Sequence, residues 1–189
     1  MDCNSRHSHC SCLVVISSMY RKKDFMIALN ILDIKNMMAQ LLLRETFDNF
    51  YLEEASVTTF ANLKINGRRN QEWYDTEERD GEKSYLVFWK EVRNILFQYI
   101  KGKKTPAFFS ISLKLCNEEA GKYIQDEKVL HLLNEGKIEF LLHFRFEKEK
   151  LFVVTGSSQK EFIIDKMPEN SWDMSVKNYM KQLNISYEE

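Results

Sequence analysis

In Ala107-Phe108-Phe109-Ser110-Ile111-Ser112-Leu113-Lys114-Leu115, the apolar residues Ala107, Phe109, Ile111, Leu113 and Leu115 alternate with Phe108, Ser110, Ser112 and Lys114. Successive side chains on a strand point to opposite faces, so this period of two predicts a strand with one face on a core. Pro106 marks its start. Upstream, Phe88, Val92, Ile95, Leu96 and Tyr99 share one face of a predicted helix capped by Ser84 and ended by Gly102. Downstream, helical sequence resumes after Asn117 and runs with an interruption to Asn134. Three further strands are expected, Ile138 to Phe146, Leu151 to Thr155 and Glu161 to Asp165, parted by a charged turn at 147–150 and a small-residue turn at 156–158. Ser171 is the expected cap of a last helix whose stripe is Trp172, Val176, Tyr179, Met180 and Leu183.

The first half follows the same grammar. Ile27, Leu29 and Ile31 alternate with Ala28 and Asn30, predicting a short strand that ends at Leu32. Asp33 suits a helix N-cap, and Ile34, Met37, Met38, Leu41 and Leu42 fall on one face of a helix reaching Glu45. That Met and Leu stripe reads as core. Phe50 to Ile65 is rich in β-branched and aromatic residues, and Asn66-Gly67 suits a type I′ hairpin turn returning a strand through Arg68 to Tyr74. The segment Asp75 to Lys83, with five acidic residues and a glycine, reads as a solvated connector.

Written as elements, Met26 to Tyr74 and Ala107 to Asp165 both read strand, helix, strand, strand, strand, each followed by a helix. The expected fold is therefore α+β, antiparallel sheets with packed helices, built from two copies of a βαβββ unit that complete each other's sheet.

The chain has 189 residues, 44% hydrophobic and 29% charged, enough for one domain with one core. Thirteen Phe, eight Tyr and three Trp set against two Pro and six Gly argue against a disordered chain. No apolar run approaches the roughly 20 residues that span a bilayer, and Leu13 to Ile16 is too short for a signal-peptide core. Residues 1–25 lack a sustained hydrophobic period and are expected to be a leader, with the domain occupying residues 26–189. Lys23-Asp24 can be encoded by AAGGAT, a purine-rich stretch like a bacterial ribosome-binding site just upstream of Met26. Cys3, His7, His9, Cys10 and Cys12 offer metal ligands in that leader, but no second cluster follows, so no metal site is expected. Only Cys116 lies in the body of the domain, consistent with a reducing cytoplasm. With Arg6, Arg21, Lys22, Lys23, Asp2 and Asp24 set aside, 23 of the 27 basic and 26 of the 28 acidic residues remain, a mildly acidic domain with no global pull toward polyanions.

Met26 to Leu42, a strand running into an Asp-capped apolar helix, resembles the start of a bacterial sliding-clamp domain. Leu151 to Asp165 resembles a clamp's closing hairpin. Clamp domains are built from two βαβββ units, so this resemblance implies a clamp-like fold. The helical segment after Asn117 departs from it, carrying Glu118, Glu119, Asp126 and Glu127 where a clamp presents basic helices to DNA. More closely, the sequence resembles an uncharacterised bacterial family, a domain of unknown function, through Ile100-Lys101-Gly102-Lys103-Lys104-Thr105-Pro106 and Thr155-Gly156-Ser157. That resemblance implies Met26 as the start and carries no activity.

Motifs for catalysis and for cofactors are missing: there is no Gly-x-Ser-x-Gly, Gly-x-Gly-x-x-Gly or His-Glu-x-x-His. Gly102 to Thr105 echo the end of a phosphate loop, but they follow a helix, whereas a phosphate site needs the helix N-terminus. Lys101, Lys103 and Lys104 then complement the helix dipole. If Arg68 and Arg69 approach them, the five form a patch for a phosphate backbone or an acidic partner. His131, His143 and Cys116 read as structural, and Glu53 and Glu54, adjacent on a strand, are expected on opposite faces. The function expected is a non-catalytic intracellular binding module for protein or nucleic acid. The alternative is a small-ligand binder or enzyme whose site is scattered in sequence.

Overall fold

The computed structural model describes residues 24–73, 84–160 and 165–189. Residues 1–23 of the expected leader, with its Cys and His residues, the whole acidic connector at 75–83, and most of the strand at Glu161 to Asp165 lie outside them; Asp24 and Phe25, expected in the leader, belong to the first strand. In chain order the elements are β1 (Asp24–Ile31), α1 (Ile34–Leu42), β2 (Tyr51–Thr58), β3 (Asn62–Asn66), α2 (Trp89–Ile100) and β4 (Phe108–Lys114). A 3-10 helix (Asn117–Lys122) leads into α3 (Glu127–Asn134), followed by β5 (Ile138–Glu147), β6 (Lys150–Gln159), α4 (Met167–Gln182) and β7 (Tyr187–Glu188). The strands form one sheet in the order β3-β2-β4-β5-β6-β1-β7, and every pairing is antiparallel. The class is α+β.

Alternation in the sequence becomes two unlike faces of this sheet. Phe109, Ile111 and Leu113 of β4, Phe140, Leu142 and Phe144 of β5, and Leu151 and Val153 of β6 enter a single core with residues of all four α-helices. The intervening residues Ser110, Ser112, Lys114, His143 and Arg145 lie on the other face. Trp89 and Trp172, both fully buried, anchor α2 and α4 in that core and donate their indole N–H groups to the carbonyls of Leu41 (2.8 Å) and Leu141 (3.1 Å). A buried indole left without such an acceptor would carry a desolvation cost, so these bonds fix how the helices sit on the sheet. The Asp33 side chain caps α1 as expected, accepting from the Asn36 N–H. The charged turn at 147–150 is also found, with Lys148 and Glu149 both left-handed at φ 52° and 61°.

Five expectations need correction. The hairpin between β2 and β3 turns at Thr59-Phe60-Ala61, and Asn66-Gly67 is no turn: β3 ends at Asn66, and Gly67 packs against the β2 backbone. Past it, Arg68 makes one isolated bridge with Leu86, and no strand runs through residues 68–73. The expected turn at 156–158 is the interior of β6, whose small residues serve neighbours: Thr155 and Ser157 hydrogen-bond Asp173 and Glu169 of α4, and Gly156 leaves room for the His143 ring. Ser84 and Ser171 are not helix caps. α2 begins at Trp89, where Glu91 accepts from the Phe88 N–H, and α4 begins at Met167, whose N–H donates to Asp165, with Pro168 in the first turn. Gly102 does not end α2 in a left-handed conformation; the chain turns extended at Lys101.

These corrections remove the third strand of the first βαβββ unit, and Asp165, the one described residue of the second unit's third strand, is not in a strand. Each half of the described chain instead reads βαββα. Each half keeps an antiparallel hairpin, β2-β3 and β5-β6, but their first strands are placed differently: β4 lies between β2 and β5, whereas β1 lies between β6 and β7.

Candidate functional site

At its C-terminal end α2 runs into the exposed loop 101–105. Lys101 donates its backbone N–H to Phe97 O (2.8 Å), Pro106 is buried, and Ala107 N–H reaches Thr58 O (2.9 Å) to start β4. The loop is thereby held beside α1 while its side chains stay in water. Between α1, α2 and this loop lies a groove of about 450 Å³ with an apolar lining that includes Ile34, Met38, Leu42, Phe97, Ile100 and Pro106. Every charged residue lining it is a lysine: Lys35, Lys101, Lys103 and Lys104. Across the loop a second groove, about 560 Å³, adds Thr59, Phe60, Tyr99 and Ala107 and again no acid. Phe60 is 93% exposed, its ring 5.9 Å from that of Tyr99, whose hydroxyl donates to Ala61 O. An exposed phenyl beside an apolar groove and a mobile-headed cationic rim can take up apolar surface and negative charge together.

A third concavity lies on the open face of the sheet. β2 carries a bulge: Leu52 pairs with Leu113 and Glu54 with Ser112, which leaves Glu53 as the extra residue. Bulges re-aim side chains. Glu53 and Glu54, expected on opposite faces, both line a cleft of about 280 Å³ with Asn66, Arg68, Tyr85, Leu86 and Ser112. Under its floor, Ser112 Oγ lies 2.8 Å from His143 Nδ1 on the adjacent strand. Beside it Lys114 pairs with Glu139 at 2.8 Å and donates to the Tyr85 hydroxyl at 3.3 Å. Burial pulls the Lys114 ammonium down, but the hydrogen bond and charge of Glu139 outweigh it, and the net shift is upward. Lys114 is therefore a fixed cation and not a nucleophilic amine.

Burial likewise pushes the Cys116 thiol up, aided by its hydrogen bond to Glu118, so it stays protonated. The neighbouring Tyr51 hydroxyl is raised to about 12, chiefly by burial. His131 is an exposed helix residue bridging Glu135 at 3.3 Å. Among the described residues, no group of three or more His, Cys, Asp or Glu is placed to hold a metal ion.

The five basic residues singled out in the sequence divide three ways. Lys101, Lys103 and Lys104 share the loop between the two grooves. Arg68 lines the open-face cleft. Arg69 has only 3% of its side chain exposed and pairs with Glu91 at 2.8 Å, tying the segment after β3 to the start of α2. The arginines sit beside Leu52 and Glu53 at the start of β2, and the lysine loop follows Thr58 at its end, roughly 20 Å away along the strand. Sequence reasoning missed the α1 and α2 walls of the groove, because Ile34 and Met38 read as part of the α1 core stripe and Phe97 falls outside the stripe read for α2. It missed the cleft because Glu53 and Glu54 read as regular alternation, whereas the two adjacent polar residues between buried Leu52 and Ala55 mark the bulge.

The chain belongs to a family of unknown function (DUF5721), whose model matches residues 40–188. The match takes in α2 and the lysine loop, β2 with its bulge, and all of β4 to α4. No curated protein and no solved structure matches the chain. Among the described residues no helix is long and apolar enough to cross a membrane.

Proposed function

We propose that this family member is a non-catalytic binding module of the bacterial cytoplasm, whose partner is another protein. The partner offers an acidic, amphipathic segment to the groove between α1, α2 and the loop 101–105. The observation that carries this reading is the pairing of an apolar lining with a rim whose charges are all lysines. Apolar side chains of the segment replace water over Met38, Leu42 and Ile100, while its carboxylates meet Lys35, Lys101, Lys103 and Lys104. Such rim charges steer encounter and select against basic partners more than they add affinity.

Nucleic acid fits the same surface less well. A phosphate backbone is drawn by an extended basic surface, and here four lysines stand on a domain that is mildly acidic as a whole. The clamp-like expectation rests on two βαβββ units and a closing hairpin; the first unit lacks its third strand and the hairpin's small-residue turn is the interior of β6, so it adds nothing to the choice of partner.

Fluorescence anisotropy with a labelled amphipathic peptide of Leu and Glu tests the proposal. Binding in the micromolar range is expected, weakening by about tenfold or more when Lys101, Lys103 and Lys104 are all changed to Gln. Equal binding of a Leu and Lys peptide, or tighter binding of a single-stranded oligonucleotide, would overturn it.

A further inference from the structure

We infer that the open-face cleft at the β2 bulge is a site for a small zwitterion, of the size and charge pattern of a free α-amino acid. Its walls carry opposite charges: Glu53 and Glu54 come from β2, and Arg68 comes from the segment bridged to Leu86. A purely anionic ligand would meet the two carboxylates. A purely cationic one would meet Arg68, with the fixed Lys114 cation close behind Tyr85. A molecule with one ammonium and one carboxylate satisfies both walls, the ammonium at Glu54 and the carboxylate at Arg68, whose fork suits it.

The remaining lining fits the same ligand. Tyr85 and Ser112 bring hydroxyls; Ser112 is a 5% exposed residue whose hydroxyl is held against His143, so it is placed before any ligand arrives. Leu86 adds an apolar wall for a side chain. The volume, about 280 Å³, lies just below the usual range for drug-sized ligands, which favours a molecule of a few heavy atoms. The bulge is what makes the site: with regular pairing Glu53 and Glu54 would point to opposite faces. This site is independent of the lysine groove, and either can fail without the other.

Calorimetric titration and thermal melts with the common L-amino acids, alongside L-alaninamide and N-acetyl-L-alanine, test it. At least one free amino acid is expected to bind and to raise the melting temperature by about 5–10 °C at about 100 times its Kd. Neither capped compound should do so, since each lacks one charge. Glu54→Gln and Arg68→Gln change exposed residues and should melt like the unsubstituted protein while weakening the amino acid by about tenfold or more. No binding by any amino acid at about 10 mM, binding of a capped compound as tight as the free one, or binding unchanged in both variants would overturn the assignment. The capped compounds decide the matter on the unsubstituted protein, so a variant that fails to fold does not blunt the test.

Discussion

Replacing Gly67 by Ala separates two accounts of one glycine. The sequence offers it as the second residue of a left-handed Asn-Gly turn; the structure gives it no positive φ and sets it against the β2 backbone. A β-carbon there would overlap the Leu52 carbonyl, standing 2.5 Å from its carbon and 3.2 Å from Glu53 O. The obstruction is backbone, so no rotamer relieves it, and the chain would have to retreat by about 1.5 Å to reach normal contact. That retreat strains two bonds of 2.9 Å, Gly67 N–H to Glu53 O and Val87 N–H to Gly67 O, each worth about 1 kcal/mol net. Overpacking adds about 1–3 kcal/mol, and the less flexible unfolded chain returns roughly 0.4–1 kcal/mol. The expected net loss is about 2–4 kcal/mol, or roughly 5–15 °C in Tm for a domain of this size. Gly121→Ala is the control, because nothing lies within 4 Å of its β-carbon and its φ is not positive; it should be neutral or slightly stabilising. Urea and thermal melts of both variants measure the difference. Gly67→Asn sharpens it, since a left-handed turn tolerates Asn whereas a backbone contact penalises Asn at least as much as Ala. Comparable losses for Gly67→Ala and Gly121→Ala, or recovery with Asn, would refute the contact.

Two further predictions follow from the charged groups. Arg69→Leu removes the partner of Glu91, which also holds the Phe88 N–H at the start of α2; with Glu91 partly in water the cost should be about 1–3 kcal/mol by urea melt. Asp173 accepts from Thr155 Oγ1 at 2.6 Å, yet burial raises its carboxyl above the ordinary 3.8. A carboxyl raised in the fold binds its proton more tightly there, so this group gains stability as pH falls through its folded value and costs stability at neutral pH. Asp173→Asn keeps an acceptor for Thr155 and removes the charge. It should therefore be more stable than the unsubstituted protein at pH 7, with the difference shrinking in acid; melts of the two proteins from pH 7 to pH 3 check this. Glu119, Glu135 and Glu147, each held below the usual carboxylate range by a Lys or Arg neighbour, act with the opposite sign and cancel in that comparison.

What the sequence made legible was burial. The alternation in Ala107 to Leu115 located β4 within a residue, and the stripes of α1 and α4 named their buried faces, because periodicity reports a two-sided environment directly. What it hid was the work of small residues. Gly67, Gly156, Thr155 and Ser157 read as turn chemistry, but each is small because something packs against it: the β2 backbone, the His143 ring, or the carboxylates of α4. The false turn at Asn66-Gly67 in turn created the third strand of the first unit, and with it that half of the two-unit repeat. For the sites, the lysines after α2 were visible as charge, and the groove beside them needed the pairing of α1 with α2. The carboxylates of the cleft needed a bulge.

The central claim, that a protein segment occupies the lysine-rimmed groove, is tested most directly by mapping bound peptide onto amide resonances in ¹⁵N-labelled protein. With the Leu and Glu peptide, shifts should gather at residues 34–43 and 97–105 and at Phe60, leave the open-face cleft untouched, and vanish when Lys101, Lys103 and Lys104 are changed to Gln. Shifts centred elsewhere on the sheet, or a groove that answers only to oligonucleotide, would contradict it.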